Sequence, residues 1–226
     1  VTIAENWAAI RAKVAAACER AGRPASDITI VAVSKTHPAS AIAEAAEAGA
    51  IDFGENYAQE LAGKQAELSL PIRWHFVGRL QSNKAKLVAG KVALVHAVDS
   101  LGLAVELGKR AQGVQPILLA VNLGGEATKG GVTGETALGL AKELAAVANV
   151  RLDGLMTLPP PSDDPAASRP VFEALRELRT RIAGELGVAL PILSMGMSGD
   201  YEVAIGCGAT HVRIGTAIFG GRPALR

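Results

Sequence analysis

Apolar positions along this chain alternate between two periods. Ile3, Trp7, Ile10, Val14 and Ala17 recur at helical spacing and stop before Gly22, which predicts a leading helix from Ile3 to Ala21. Ile28 to Val33 is a β-branched run that is apolar on both parities, the pattern of a parallel strand buried on both faces. The two patterns then take turns. Strands are predicted at Ile51 to Gly54, Ile72 to Val77, Val92 to Val98, Pro116 to Val121, Leu152 to Thr157, Pro191 to Met195 and Thr210 to Ile214. Helices are predicted between them at Ala39 to Ala48, Ala58 to Leu68, Ser82 to Ala89 with Ser82 as N-cap, Leu101 to Ala111, Glu135 to Ala148, Ser168 to Leu186 and Asp200 to Cys207. Eight strands alternating with helices favour a single α/β (β/α)8 TIM barrel with an extra N-terminal helix over an open doubly wound sheet. Helix, glycine, strand and glycine follow in the same order at Glu44 to Gly54 and at Glu202 to Gly215, a weak internal echo. No linker divides the chain, so one domain over residues 1–226 is expected.

Composition narrows this picture. The net charge of +1 is spread without a basic face, which argues against nucleic acid as a partner. No apolar run approaches the ~20 residues that span a bilayer and no signal-peptide pattern opens the chain, so a cytoplasmic protein away from membranes is expected. Cys18 and Cys207 form no disulfide pattern and read as small buried hydrophobes. No exposed apolar stripe demands a dimer, and a monomer is expected. Gly124 to Gly131 is glycine-rich and polar and reads as a mobile loop, with Lys129 as a candidate lid or way station; Pro159 to Pro165 reads as a stiff surface loop.

Candidate chemistry lies at the strand ends, where barrels place their sites. Lys35 follows the first strand on the parity of Val31 and Val33, and Pro38 opens the next helix. An ammonium there is costly to desolvate. It either becomes partly neutral and forms a Schiff base with a carbonyl, or it snorkels to solvent or pairs with a carboxylate. Asn56, His75, Asp99, Asn122, Thr157, Ser194 and Arg213 also fall at or just after strand ends. Two of these ends read as an anion site: Ser194 to Asp200 opens a helix, and Arg213 leads into Gly215 and Thr216. Glycines admit a phosphate to backbone amides, and Ser198 and Thr216 add hydroxyls; the alternative is an N-cap at Ser198 and a simple turn at Gly215. Lysine opposite an anion site suggests a ligand with a carbonyl at one end and a phosphate at the other. Pyridoxal 5'-phosphate has both, and its ring nitrogen needs a partner for which an arginine such as Arg213 is one known solution, unless that arginine pairs with a carboxylate instead.

Several stretches together carry a resemblance to a known family. They are Ala32 to Thr36, Phe53 to Tyr57, Trp74 to Gly78 with Leu80 to Lys84, Gly154 to Met156, Ser194 to Ser198 with Asp200, and Val212 to Gly220. The sequence resembles the YggS/PROSC family of pyridoxal phosphate homeostasis proteins, whose fold is similar to the barrel domain of alanine racemase. The resemblance implies that Lys35 carries pyridoxal phosphate as a Schiff base. It also implies that Ser194, Ser198, Gly215 and Thr216 hold the phosphate, that Arg213 meets the ring nitrogen and that Asn56 lies beside the cofactor.

The expected function is accordingly a binder that buffers pyridoxal phosphate or delivers it to dependent apo-enzymes, without robust catalysis. Racemisation needs a base on each face of the cofactor, and the chain leaves only about ten residues after the last strand, too few for the second domain that supplies one in alanine racemase. Tyr57, Tyr201 and His75 are the remaining candidates for that base, each weighed against a structural role; His37, His96 and His211 show no metal-ligand spacing and receive no role. The alternatives are a weak amino-acid racemase, a Schiff-base aldolase on a phosphorylated carbonyl substrate, or an interaction module using the loops around Arg79 to Lys84 and Thr128 to Gly131.

Overall fold

In the computed structural model, which describes residues 1–125 and 130–221, eight parallel strands close into a ring. They are β1 (Thr29–Val33), β2 (Asp52–Glu55), β3 (Arg73–Phe76), β4 (Leu94–Val98), β5 (Gln115–Asn122), β6 (Val150–Met156), β7 (Ile192–Ser194) and β8 (His211–Ile214). Each pairs with its neighbours in chain order, and β1 pairs with β8 to complete the circle. The two-residue strand Val132–Thr133 adds to the end of β5 outside the ring. Every connection within the ring is a crossover, so helices cover the outer face of the sheet and the strands are buried on both faces. Gly154 is required by the close packing of β6 on β7: a Cβ there would lie 1.9 Å from the Ile192 carbonyl oxygen.

The outer layer is built by α1 (Ile3–Arg20), α2 (Ala39–Glu47), α3 (Ala58–Glu67), α4 (Leu101–Arg110), α5 (Ala137–Ala145), α6 (Arg169–Leu186), α7 (Tyr201–Gly206) and α8 (Thr216–Phe219). Between β3 and β4 the chain forms a 3₁₀ helix, Ser82–Leu87, and its cap residue is Gln81 without a side-chain bond. The predicted N-cap role of Ser82 is therefore not realised; the segment is a tightly wound six-residue 3₁₀ helix, with Val88 N–H bonding back to Ala85.

Helix α1 is the extra element, and local chemistry sets both its ends. Thr2 and Glu5 form a reciprocal capping box, and the chain leaves through Gly22 at φ 64°. Its buried face, Trp7, Ile10, Val14, Ala17 and Cys18, packs on α2, α7 and α8. The last two helices have only six and four residues, so α1 covers the side of the barrel they leave open. One polar tie joins α1 to the barrel mouth: Asn6 Nδ2 donates to the Ile218 carbonyl in α8 at 3.0 Å. Asn6→Ala is expected to lower stability by about 1 kcal/mol, with faster amide exchange in α8. Unchanged exchange there would remove the tie from the account.

Candidate functional site

At the C-terminal end of the ring lies a cavity of about 370 Å³, within the range of small-molecule sites. Lys35, His37, Asn56, Ser198, Arg213, Gly215 and Thr216 line it. Six of the seven residues singled out from sequence as cofactor-binding therefore face one hollow. Val33 and Val77 supply its apolar wall.

The turn that carries Lys35 is held from beneath. Thr36 adopts φ 66°, a conformation that L-residues with side chains avoid, and its N–H donates to Glu60 Oε1 at 2.6 Å. Lys64 Nζ donates to the Ser34 carbonyl at 2.8 Å, to Glu55 Oε1 at 2.6 Å and to Glu60 Oε1 at 2.7 Å. The Ser34 hydroxyl also donates to Glu55 Oε1 at 2.6 Å. Glu60 and Lys64 are one helical turn apart on α3, so that helix presents both groups to the turn after β1. Burial pushes the Glu55 carboxyl upward, and the bonds from Lys64 and Ser34 oppose that shift without cancelling it. Lys35 is thus half-buried on a turn pinned on both sides, at Ser34 and at Thr36.

Facing it are two glycine-bearing turns. Between β7 and α7, position 196 requires glycine: its φ is 91°, and a Cβ would lie 2.6 Å from that of Ala204. Asp200 Oδ1 accepts from Met197 N–H at 2.7 Å and Oδ2 from the Ser168 hydroxyl at 2.9 Å, which fixes the loop that carries Ser198 and Gly199. The cap residue of α7 is Asp200, so Ser198 is not the N-cap and its hydroxyl lines the cavity. After β8, Gly215 passes close beneath β1, where a Cβ would sit 3.2 Å from the Val33 carbonyl oxygen. The turn of α8 then begins at Thr216, and the first amides of such a turn have no intrahelical acceptor.

Arg213 is buried, with its guanidinium reaching the cavity floor. Nη1 donates to Ser194 Oγ and Nη2 to the Thr157 carbonyl at 2.9 Å. It is bound by a hydroxyl and a carbonyl, so the alternative of a carboxylate partner is not what the barrel provides. Burial lowers its pKa to about 10, opposed by the charge of Asp200, and the group stays cationic at neutral pH.

Other expectations fall elsewhere. Ser194 is fully buried, and its hydroxyl lies behind Arg213, bonded to Arg213 and His96; a direct role on a phosphate is replaced by a role in the barrel interior. The reason is parity, since Ser194 points into the ring with His211 opposite. Tyr57 is exposed, Tyr201 is buried behind the mouth, and His75 lies inside the barrel bonded to Asp52 and His96. None of the three lines the cavity. His37, given no role from sequence, does line it and packs on Phe219 with ring centroids 5.3 Å apart. Burial, and then the charge of Lys64, lowers its pKa. Its position two residues after Lys35 was the available signal. Asn122 and Asp99 border a second hollow beside the first, where Arg79 approaches Asp99 at 3.8 Å. Residues 126–129 of the glycine-rich loop, Lys129 among them, lie outside the described residues.

The ring of strands and the place of its cavity define a class, barrels of the alanine racemase N-terminal-domain type; the chain matches the family described as alanine racemase, N-terminal domain, over residues 6–223. Among solved structures, the alanine racemase of Corynebacterium glutamicum superposes with a TM-score of 0.72 at 18% identity, covering 97% of this chain and 64% of that one, a likeness of fold. Nearer relatives specify more. The pyridoxal phosphate homeostasis protein of Pseudomonas aeruginosa is 48% identical over 225 residues, covering 98% of this chain and 96% of the relative, and that of Aquifex aeolicus is 47% identical over 222 residues, covering 96% and 97%. PipY of Synechococcus elongatus, in a structure with PLP bound, superposes with a TM-score of 0.84 at 35% identity, covering 97% of this chain and 100% of that one. The chain belongs to the family of pyridoxal phosphate homeostasis proteins.

Proposed function

We propose that this protein holds pyridoxal 5'-phosphate at the barrel mouth, attached through the Lys35 amine, and keeps it in reserve or passes it to dependent apo-enzymes. One observation carries the reading: a single cavity joins Lys35, the donor-bearing turns at Ser198 and Thr216, and Arg213. When bound, the cofactor supplies an aldehyde that condenses reversibly with a primary amine, together with a phosphate and a pyridine nitrogen. Each has a counterpart among the residues present. The hydroxyls of Ser198 and Thr216 and the amides of Gly199 and Gly215 suit the phosphate. The pinned turn offers the Lys35 amine, and Asn56 flanks it.

Arg213 favours holding over catalysis. A guanidinium donates to the ring nitrogen without giving up its proton, which leaves that nitrogen unprotonated and the ring a weak electron sink. His37, the added titratable group at the cavity, belongs to the same turn as Lys35, so acid and base come from one stretch of chain. The printed names of the relatives agree with a role in homeostasis.

The test is the visible spectrum of protein incubated with pyridoxal phosphate, before and after borohydride, with Lys35→Ala in parallel. The expected result is a visible band that borohydride abolishes, with the label on the Lys35 peptide and none in the variant. A band retained by Lys35→Ala, or label on buried Lys64, would sink the assignment. Inversion of alanine well above the rate with free cofactor would replace the carrier by an enzyme.

A further inference from the structure

Beneath Arg213 the inside of the barrel is polar, although the sequence pattern announces an apolar core. Asp52 on β2, His75 on β3, His96 on β4, Ser194 on β7 and Arg213 on β8 are all buried there. They are bonded end to end. Arg73, exposed at the N-terminal end of β3, donates from Nε and Nη2 to the two Asp52 oxygens at 2.8 and 2.7 Å. Asp52 Oδ1 lies 2.9 Å from His75 Nε2, His75 Nδ1 lies 3.0 Å from His96 Nε2, and His96 Nδ1 lies 2.8 Å from Ser194 Oγ. Ser194 Oγ in turn accepts from Arg213 Nη1.

The two ends set the direction of every bond between them. A carboxylate only accepts and a guanidinium only donates. With a proton on Nε2 facing Asp52, His75 accepts at Nδ1, so His96 carries its proton on Nε2 and accepts at Nδ1. The Ser194 hydrogen then points to His96, and its lone pair is free for Arg213. This assignment satisfies each donor and acceptor in the row. An extra proton on His75 reverses His96 and leaves the Ser194 hydrogen with no acceptor in the row. Burial first, then His75, His211 and Arg213, holds the His96 imidazole well below its ordinary pKa, consistent with a neutral ring. Because both termini are arginines, which keep their protons, the row cannot pass a proton from one end of the barrel to the other. What it does is orient.

We propose that Asp52, His75, His96 and Ser194 are positioning residues for Arg213. The Ser194 lone pair and the Thr157 carbonyl engage one N–H on each terminal nitrogen, fix the guanidinium plane, and aim its remaining donors at the ring nitrogen of the cofactor. The inference rests on the reading of the cavity as a pyridoxal phosphate site.

The experiment compares equilibrium binding of pyridoxal phosphate with that of its deaza analogue, in which C–H replaces the ring nitrogen. Wild-type protein is expected to prefer pyridoxal phosphate by about tenfold, the worth of one hydrogen bond to a charged group. Ser194→Ala and His96→Phe are each expected to weaken pyridoxal phosphate by that factor while leaving the analogue unchanged, so the preference disappears. Equal affinity of the wild type for both ligands overturns the ring-nitrogen reading underneath. A wild-type preference that the variants keep, or a loss of both ligands alike, overturns the positioning role. Ser194→Ala, which removes a single oxygen, keeps the comparison available if His96→Phe does not fold. Nitrogen-15 NMR of histidines in the unliganded protein gives an independent reading: both His75 and His96 are expected to carry a proton on Nε2 and to accept at Nδ1, and an Nδ1–H at either would overturn the assigned direction.

Discussion

Lys64→Met is expected to lower the free energy of unfolding by about 3–5 kcal/mol, the usual loss when one member of a buried ion pair is removed and the other remains. Lys64 and Glu55 have side chains 7% and 0% exposed, so water cannot take the place of the lost ammonium. The same substitution removes the donor to the Ser34 carbonyl and frees Glu60 from its helical partner, which loosens the turn at Ser34 and at Thr36. Borohydride-fixed occupancy of Lys35 at limiting pyridoxal phosphate should therefore fall with stability. Adding Glu55→Gln to Lys64→Met should restore part of the stability, because a neutral amide is left behind in place of a buried carboxylate. Urea unfolding measures both variants against the wild type. A loss below about 1 kcal/mol for Lys64→Met would mean that the triad is a bystander.

Acidification is expected to destabilise the fold before the carboxylates titrate. His211 has its pKa lowered from 6.5 to about 4, chiefly by burial and next by His75. A histidine whose folded pKa is depressed is protonated preferentially in the unfolded chain. Its contribution is whole above pH 6.5, is lost as pH falls from 6.5 towards 4, and is lost no further below that. The loss is on the order of 3 kcal/mol for His211, and His96 adds to it in the same direction. Asp52 follows at lower pH: burial opposes its charge, but the bonds from His75 and Arg73 prevail and hold its carboxyl below the usual range. Its contribution is lost as pH falls below about 4. Glu55 works in the opposite sense, since a raised carboxyl takes up its proton more readily in the folded state. Denaturant titrations from pH 7.5 to 4 should show stability falling from near pH 6.5; a flat profile down to pH 4.5 would contradict the buried neutral histidines.

Much of the site was legible because its signals are local. Lys35 ends a β-branched run, and that alone places it at a strand mouth. Gly215 and Thr216 follow the last strand directly, and Ser198 sits in a glycine-bearing loop that opens a helix. The Glu60 and Lys64 pair was visible as an i,i+4 spacing on α3, but nothing local says that this face of α3 docks beneath the Lys35 turn. Ser194 and Ser198 look equivalent in sequence, four residues apart near one strand end. Only the ring decides that Ser198 faces the cavity while Ser194 turns inward to His96 and Arg213.

The histidines mark the limit most clearly. His75, His96 and His211 lie on three separate strands, at spacings of 21 and 115 residues that carry no motif, and each reads alone as an ordinary strand residue. Their meeting depends on how the strands are staggered when the ring closes, which no window of neighbouring residues specifies. The sequence by itself determined the alternation of strands and helices, the leading helix and its glycine stop, and the residues at the strand ends, because short-range sterics and hydrophobic period act within a few residues. The tertiary structure alone decided which strand-end side chains share a cavity, what holds the Lys35 turn, and that the barrel encloses a polar row ending on Arg213. Those are contacts between residues far apart in the chain, and closure of the barrel sets their geometry.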